Sequence, residues 1–181
     1  GEPVKFGKKV LENGKLQSII INSKISNVAT GKKGYETAEN ICKILAQNLN
    51  IDSNNTLISS TGIIGRQYPE NIIENNIEKL CIGKDESYEK ATLAAKAIMT
   101  TDTVHKLHTV SIGESTILVI AKGAGMIAPN MATMLSFIAT DAQITSTDLK
   151  AILKRVVDKS YNCLSIDFDT STSDTCIAMA N

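Results

Sequence analysis

The fold class follows from residues 16–49, which read LQSIIINSKISNVATGKKGYETAENICKILAQNL and carry two periodicities in succession. Residues 16–21 are rich in β-branched side chains and predict a short strand, and a polar, glycine-bearing loop follows them up to Gly34. Between positions 35 and 49 apolar residues recur every three or four positions, which predicts an amphipathic helix that ends near Asn50. A strand, a loop and a helix in this order are typical of α/β layers.

The rest of the chain continues this alternation, so we predict a layered α/β fold of sheets and helices. No tandem repeat, low-complexity segment or linker interrupts the chain, and no domain boundary is visible. The further predicted elements are a strand at 56–59, a helix with Pro69 in its first turn that runs to Leu80, a helix at 87–99, strands at 104–112 and 115–121 joined by Gly113-Glu114, and a helix after the capping box Thr145-x-x-Asp148.

Composition excludes several classes of protein. The chain has 181 residues, of which 43% are hydrophobic and 21% charged, as in ordinary globular proteins. Nineteen basic residues balance nineteen acidic ones, which argues against a nucleic-acid or anionic-membrane partner. The longest apolar runs, 19–21 and 117–121, are far shorter than the roughly 20 residues of a membrane helix, and no secretion signal opens the chain. We therefore expect a cytoplasmic protein.

Cysteine and histidine usage does not favour a metal site. The four cysteines contain no CxxC pair, and the two histidines, His105 and His108, are too few for a zinc site. We expect reduced thiols and no bound metal.

Residues 122–135, KGAGMIAPNMATML, have the most unusual pattern in the chain. Two glycines one residue apart lie between a lysine and a proline, and Thr133 is the only hydroxyl of residues 122–135. A P-loop is excluded because no Gly-Lys-Ser/Thr follows the glycines. Taken alone, the pattern also fits a tight turn that enters a buried helix, with Thr133 bonded to a carbonyl of its own turn.

This segment resembles the self-cleavage and nucleophile segment of the bifunctional ornithine acetyltransferase (glutamate N-acetyltransferase) family. Four further blocks resemble blocks of that family in the same order and at compatible spacing: Asn22-Ser23 with Thr30-Gly31 and Gly34, STGIIG at 60–65, AIMTTDT at 97–103, and DFDTSTSDT at 167–175. The resemblance implies the α/β fold of these self-processing enzymes, with 1–132 as part of the alpha chain and 133–181 as the start of the beta chain.

The resemblance also implies an activity and its site. The family moves acetyl from N2-acetyl-L-ornithine to L-glutamate through an acetyl-threonine, here Thr133, after self-cleavage at Ala132-Thr133. It implies that Thr61 and Gly62 form the oxyanion hole and that Thr100, Lys122 and Thr133 bind substrate. It implies no metal or bound organic cofactor, with acetyl-CoA as an open second donor. Its expected partners are the remaining alpha and beta segments, in a heterotetramer of processed chains.

The chemistry of threonine explains why a cut is needed. A threonine hydroxyl barely ionises near neutral pH, so it needs a base within hydrogen-bond reach. The α-amine of an N-terminal threonine, with a pKa of about 7.7 to 8.0, supplies such a base. Thr133 lies inside the chain, so the Ala132-Thr133 bond must break first. Lys122, beside this loop, either binds a substrate carboxylate, favours the neutral amine, or is a solvated loop lysine.

Structural alternatives remain for the other candidates. Thr61-Gly62 also fits a strand-to-helix turn in which Gly62 takes a positive φ, and Thr100 also fits the C-terminal cap of a helix and the turn that follows it. Asp167, Asp169 and Ser171 have calcium-loop spacing, but Thr172 and Ala178 replace the glycine and the glutamate of such a loop, so we expect a turn that leads into a strand.

Two departures from the family pattern bear on function. The family usually has Gly-Asn-Ala-Asn-Ala where this chain has KISNV at 24–28, and the chain resembles a fragment without the first few dozen residues and the C-terminal half. We therefore expect 181 residues alone to be inactive. Two other functions stay open: an N-terminal-nucleophile amidase or aminopeptidase that uses water as acceptor, and a non-catalytic fragment or paralogue.

Substitution of Thr133 tests the nucleophile. Thr133→Ala should leave a single uncut chain without acetyl transfer, because both steps need the hydroxyl. Thr133→Ser keeps a hydroxyl and should still cut. Intact mass and an acetyl-transfer assay measure the two outcomes. Maturation of the alanine variant at the same bond, or acetyl transfer by a cleaved alanine variant, would show that the nucleophile lies elsewhere.

Overall fold

The computed structural model describes residues 1–81, 87–128 and 134–181. The chain forms two compact units, Gly1–Glu86 and Ser87–Asn181. The sequence analysis predicted no such boundary, because no linker or shift in composition accompanies it. The predicted division at 132/133 concerns a cut in the polypeptide rather than a contact boundary, and it stays a prediction.

The first unit is a parallel strand pair covered by helices. Strand β1 pairs with β2 in parallel, with Ser18 opposite Thr56 and Asn22 opposite Ser60. The elements are α1 (Glu2–Val10), a 3-10 turn (Leu11–Asn13), β1 (Ser18–Asn22), α2 (Gly31–Leu49), a second 3-10 turn (Ser53–Asn55), β2 (Thr56–Ser60) and α3 (Glu70–Cys81). The helix α2 is the crossover between the two parallel strands, as α/β layering requires.

Apolar burial explains this arrangement. The predicted helical stripe is confirmed, and Ala38 and Ile41 of α2 are fully buried. The helix starts at Gly31, four residues before the predicted start, and ends before Asn50, whose φ of 54° closes it in a left-handed cap. Burial of the β2 side chains Leu57 and Ile58 contributes about 1.5–3 kcal/mol each.

Helix α1 was missed in the sequence, although its buried residues recur at helical spacing. Pro3 lies in its first turn, and only Phe6 and Val10 supply large buried apolar side chains. The Phe6 ring contacts Tyr35 of α2 edge-on, with ring centroids 5.8 Å apart. Tertiary packing against α2 therefore stabilises this short helix.

The second unit is a four-stranded sheet in the order β3-β4-β5-β6. Strand β4 is antiparallel to both β3 and β5, and β6 runs parallel to β5. The elements are α4 (Tyr88–Ala97), β3 (Lys106–Ile112), β4 (Ser115–Lys122), β5 (Leu135–Thr140), α5 (Ser146–Asp158), a 3-10 turn (Tyr161–Cys163) and β6 (Thr175–Ala180).

Local signals in this unit are confirmed. The predicted hairpin joins β3 and β4, and Gly113 takes the positive φ of 62° that its turn requires. The Thr145 hydroxyl accepts the N–H of Asp148 at 3.1 Å, so the capping box begins α5. Pro69 lies one residue before α3 rather than inside its first turn, and its carbonyl accepts the N–H groups of Ile72 and Ile73.

The alternative of a buried helix after the glycine-rich segment is wrong. Leu135–Thr140 forms strand β5, which pairs with β4 on one side and β6 on the other. Leu135, Ser136 and Phe137 are all buried, and neighbouring strands pair with both edges of β5. A short apolar run of this kind has no periodicity to separate a central strand from a helix.

No helix among the described residues is long and apolar enough to cross a membrane.

The loop after β1 takes strained backbone conformations. Lys24, Asn27 and Ala29 have φ values of 81°, 53° and 56°. Asn27 is fully buried, and its side chain donates to the Gly34 carbonyl at 2.9 Å and accepts from the Thr30 hydroxyl at 2.5 Å. These bonds explain how the larger residues of this loop keep a defined path.

Lys24 has a left-handed backbone at the position where the family pattern has glycine. Lys24→Gly should raise the free energy of unfolding by about 1 kcal/mol, because glycine removes the steric cost of positive φ. Lys24→Ala is the matched control, since it shortens the side chain but keeps Cβ, and it should give no comparable gain. Chemical denaturation measures both. A glycine variant no more stable than the alanine variant would contradict strain at this position.

Candidate active site

Thr61 and Gly62 lie directly after the carboxyl end of β2 in the first unit. Thr61 is buried, and its N–H donates to the Asn22 carbonyl at 3.0 Å, which extends the pairing of β1 with β2. Gly62 has a φ of 131°, and a Cβ there would overlap the Lys24 carbonyl group. The Ile63 N–H donates to the same Lys24 carbonyl at 2.9 Å. The predicted requirement for a positive φ at Gly62 is therefore confirmed.

This geometry limits how the pair can stabilise an oxyanion. The Thr61 N–H is already used within the sheet. Gly62 is exposed, and within the described parts of the chain its N–H has no acceptor. An oxyanion role would thus depend on the Thr61 hydroxyl and the Gly62 N–H, a role that stays a prediction.

A buried tyrosine lies beside this turn and was missed in the sequence. The Tyr68 hydroxyl is hydrogen-bonded to the hydroxyl of Ser60, the last residue of β2. Burial raises the pKa of Tyr68 well above its ordinary value, although the hydrogen bonds from Ser60 and Asn27 lower it, so this phenol stays neutral. No sequence motif connects these residues.

Thr100 and Lys122 meet in the second unit. Lys122 is the last residue of β4, is only 2% exposed, and donates from Nζ to the Thr100 Oγ1 at 2.9 Å. The alternative of a solvated loop lysine is therefore wrong. The Thr100 hydroxyl does not cap α4, because it contacts Lys122 and the backbone N–H of Ile98 closes the helix, whereas the Thr100 N–H bond to Asp102 agrees with the alternative of a turn.

Asp102 connects the groups around this pair. Its carboxylate accepts from the Lys106 Nζ at 2.5 Å, from the Gly123 N–H at 2.8 Å and from the Thr100 N–H at 3.4 Å. Burial by itself would raise the pKa of Asp102, but these donors and the Lys106 charge more than offset burial. The pKa therefore lies below its ordinary value, and Asp102 is a carboxylate at neutral pH.

The ammonium group of Lys122 is buried and largely desolvated. Burial lowers its pKa, the negative charges of Asp102 and Asp174 oppose that shift, and the positive charge of Lys106 adds to it. The net result is a pKa below the usual lysine value of 10.5. Such an ammonium gains from any further anion that comes within contact distance.

Ala132 and Thr133 lie outside the described residues, but the next residue, Met134, is held by hydrogen bonds of its backbone. The Met134 N–H donates to the Asp174 Oδ1 at 2.7 Å, and the Met134 carbonyl accepts the Thr175 N–H at 3.0 Å. Leu135 pairs with Lys122 across β4 and β5. The Thr100–Lys122 pair therefore lies beside the strand that begins two residues after Thr133 in the sequence.

The model of the ArgJ family matches residues 1–181. The chain belongs to the ArgJ family. It is 49% identical over its whole length to the arginine biosynthesis bifunctional protein ArgJ 2 of Clostridium acetobutylicum, and 40% identical to the glutamate N-acetyltransferase Oat2 of Streptomyces clavuligerus. It covers 46% of each relative, so the chain spans about half the length of the curated relatives it matches.

Two solved ArgJ-family structures share its fold. The arginine biosynthesis bifunctional protein of Bacillus halodurans superposes with a TM-score of 0.61 at 32% identity, over 73% of this chain and 71% of that one. The ornithine acetyltransferase of Mycobacterium tuberculosis, complexed with ornithine, gives a TM-score of 0.63 at 26% identity, over 73% and 72%. The predicted α/β fold of this enzyme type is confirmed.

Several residues of this ArgJ-family chain escaped the sequence reading. The polar stretch around Asp102 was noticed, but its contact with Gly123 spans 21 positions and has no local signal. The expected turn at 167–175 is confirmed, since it leads into β6, yet its carboxylates also bind the glycine-rich segment. Only the folded chain identifies these contacts.

Removal of the buried ammonium tests its electrostatics. Because the pKa of Lys122 is lowered on folding, the folded state binds fewer protons than the unfolded state as pH approaches 10.5, and stability rises there. The free energy of unfolding of the wild-type chain, relative to Lys122→Met, should therefore increase with pH between neutral and about 10. Denaturant titrations at several pH values measure this difference. A difference that stays constant or falls would contradict a desolvated Lys122.

Proposed function

We propose that the protein to which this chain belongs is an acetyltransferase that moves acetyl from N2-acetyl-L-ornithine to L-glutamate through an acetyl-Thr133 intermediate. The observation that carries the proposal is the buried Lys122–Thr100 pair, which lies beside the strand that follows the nucleophile segment of an ArgJ-family chain. The ornithine described with the Mycobacterium tuberculosis structure supports the choice of donor.

Maturation is the first step of the proposal. The Thr133 Oγ attacks the Ala132 carbonyl, the acyl group shifts from nitrogen to oxygen, and water hydrolyses the ester. The products are an alpha chain that ends at Ala132 and a beta chain with a free α-amine on Thr133. That amine is the base that the hydroxyl needs for the transfer reaction.

Transfer then proceeds through two tetrahedral intermediates. The Thr133 hydroxyl attacks the acetyl carbonyl of the donor, and ornithine leaves as its amine after it accepts a proton. The amine of glutamate attacks the acetyl-threonine in turn and restores the hydroxyl. Each intermediate carries an oxyanion, for which we propose the Thr61 hydroxyl and the Gly62 N–H as donors.

Lys122 and Thr100 are proposed to bind an α-carboxylate, which both substrates carry. A carboxylate beside Lys122 would compensate an ammonium that burial has made costly, and the Thr100 hydroxyl is 2.9 Å from the same Nζ. Burial therefore favours binding of the substrate in its anionic form. No metal or organic cofactor enters these steps, and acetyl-CoA is proposed as an additional acetyl donor.

The assembly is also a proposal. The relatives are about twice as long as this chain, and we propose that the additional length contributes further substrate contacts. Processed alpha and beta chains would then assemble into a cytoplasmic heterotetramer.

Acceptor competition tests the activity. The protein, expressed at its full natural length, is incubated with acetyl-labelled N2-acetylornithine with and without glutamate, and intact mass reports cleavage. Labelled acetylglutamate that appears only with glutamate is the expected result. Free labelled acetate at the same rate in both samples would identify an amidase, and an uncut chain without product would identify a non-catalytic relative.

The oxyanion role of Thr61 is tested by a pair of variants. Thr61→Ala should slow maturation and turnover by roughly a hundredfold, because loss of one oxyanion donor has about this effect. Thr61→Ser keeps the hydroxyl and should retain most of the rate. Single-turnover kinetics and the Michaelis constant separate catalysis from binding. Normal turnover with a lower melting temperature in Thr61→Ala would show that Thr61 has only a structural role.

A further inference from the structure

Three aspartates bind backbone N–H groups on both sides of the undescribed stretch 129–133. Asp102 accepts from Gly123 at 2.8 Å. Asp167 accepts from Met126 at 2.6 Å and from Ile127 at 2.9 Å, each with a different carboxylate oxygen. Asp174 accepts from Met134 at 2.7 Å. All four donors flank the Ala132-Thr133 bond in the sequence, and hydrogen bonds from amides to carboxylates are about twice as strong as neutral ones.

These contacts join residues 127–134 to residues 167–174, two segments of equal length. Ile127 and Asp167 are 40 residues apart, and so are Met134 and Asp174. Backbone bonds reinforce each end, from the Ile166 N–H to the Ile127 carbonyl at 2.8 Å and from the Thr175 N–H to the Met134 carbonyl at 3.0 Å. Residues 166–175 therefore bind both described ends of residues 126–134, which we call the cleavage segment.

Backbone strain marks the first of these ends. Met126 and Phe168, which adjoin the Asp167 contact, have φ values of 56° and 61°. Left-handed backbone is unfavourable for such bulky residues and persists only where the surrounding structure imposes it. The Asp167 carboxylate supplies that constraint, because it also accepts the Asp169 N–H at 3.2 Å and so closes the turn around Phe168.

The carboxyl groups of Asp167 and Asp102 are ionised at neutral pH. Hydrogen bonds from the Met126, Asp169 and Ile127 amides lower the pKa of Asp167 against the effect of burial, with the Met126 bond as the largest contribution. The pKa of Asp102 also lies below its ordinary value, because its donors offset the effect of burial. Each carboxylate therefore acts only as a hydrogen-bond acceptor toward the segment.

We propose that Asp102, Asp167 and Asp174 are positioning residues for self-cleavage, which hold the two ends of the cleavage segment so that Thr133 Oγ can reach the Ala132 carbonyl. This inference rests on the proposed function. None of the three carboxylates takes part in bond making. Their effect is to limit the conformations of the segment, and misplacement of reacting groups by about 1 Å can slow a reaction on the order of a hundredfold.

The experiment compares Asp167→Ala and Asp174→Ala with Asp141→Ala in the protein at full natural length. Asp141 is the matched control because its Oδ1 accepts the Thr116 N–H at 2.7 Å in the same unit, over 25 positions of sequence. Thr116 is at the far end of β4 from Lys122, roughly 20 Å away at the usual rise per strand residue. Asp102 is left unchanged, because it also contacts Thr100 and Lys106.

Pulse–chase in cell-free translation measures the rate of cleavage before maturation is complete. Each variant is assayed well below its melting temperature, and the rate is divided by the folded fraction. We expect Asp167→Ala and Asp174→Ala to slow cleavage at least tenfold and Asp141→Ala to cleave at the wild-type rate. A purely structural role would lower melting temperatures without changing the rate of the folded protein.

Asparagine variants add a second signature. Asp174→Asn keeps an oxygen that can accept the Met134 N–H, so it should retain more of the rate than Asp174→Ala. Asp167→Asn should not be rescued, because Met126 and Ile127 use both oxygens and an amide offers only one.

The outcomes separate this inference from the function on which it rests. A wild-type protein that never cuts would overturn both. If the wild-type protein cleaves and every aspartate variant cleaves at the wild-type rate, the positioning role is overturned and the proposed function stands. The same holds if Asp141→Ala slows cleavage as much as Asp167→Ala and Asp174→Ala do.

Discussion

The buried ammonium of Lys122 is the constraint on which the second unit depends. A charge at the end of β4 with 2% exposure is unfavourable unless oxygen atoms and negative charges surround it. The Thr100 hydroxyl contacts it directly, and Asp102 and Asp174 act on it electrostatically. These three residues come from the chain after α4 and from the residue before β6, so compensation of one charge brings together segments that are distant in sequence.

The same aspartates also bind the backbone, which links electrostatics to loop geometry. Asp102 accepts the N–H of Gly123, the residue after Lys122. Asp174 accepts the N–H of Met134, which precedes Leu135, the residue that pairs with Lys122 across β4 and β5. A carboxylate bound to a backbone amide fixes the path of the chain regardless of the side chain at that position. The glycine-rich segment is thus positioned at its described ends by acceptors that bind its backbone.

The first unit positions its candidate residues by a different device. The approach of Gly62 to the Lys24 carbonyl is possible because glycine has no Cβ, and the Ile63 N–H bonds to that carbonyl. The turn thereby leaves Gly62 exposed while Thr61 stays in the sheet. A structural and a catalytic reading of this pair are compatible, because the close packing involves the Cα of Gly62 and leaves its N–H without an acceptor among the described residues.

The sequence by itself determined the elements with strong local signals: the helical stripe of α2, the Gly113 hairpin and the Thr145 capping box. Each depends on residues within a few positions of one another, where periodicity and turn chemistry act directly. The candidate residues came from short blocks that resemble a family, and such blocks indicate which residues matter but not which residues they contact. Only the tertiary structure decided that Lys122 is buried, that β5 is a central strand rather than a helix, and that Asp167 and Asp174 bind amides 40 residues away. The physical reason is that burial and long-range hydrogen bonds depend on which surfaces pack together, which no local pattern encodes.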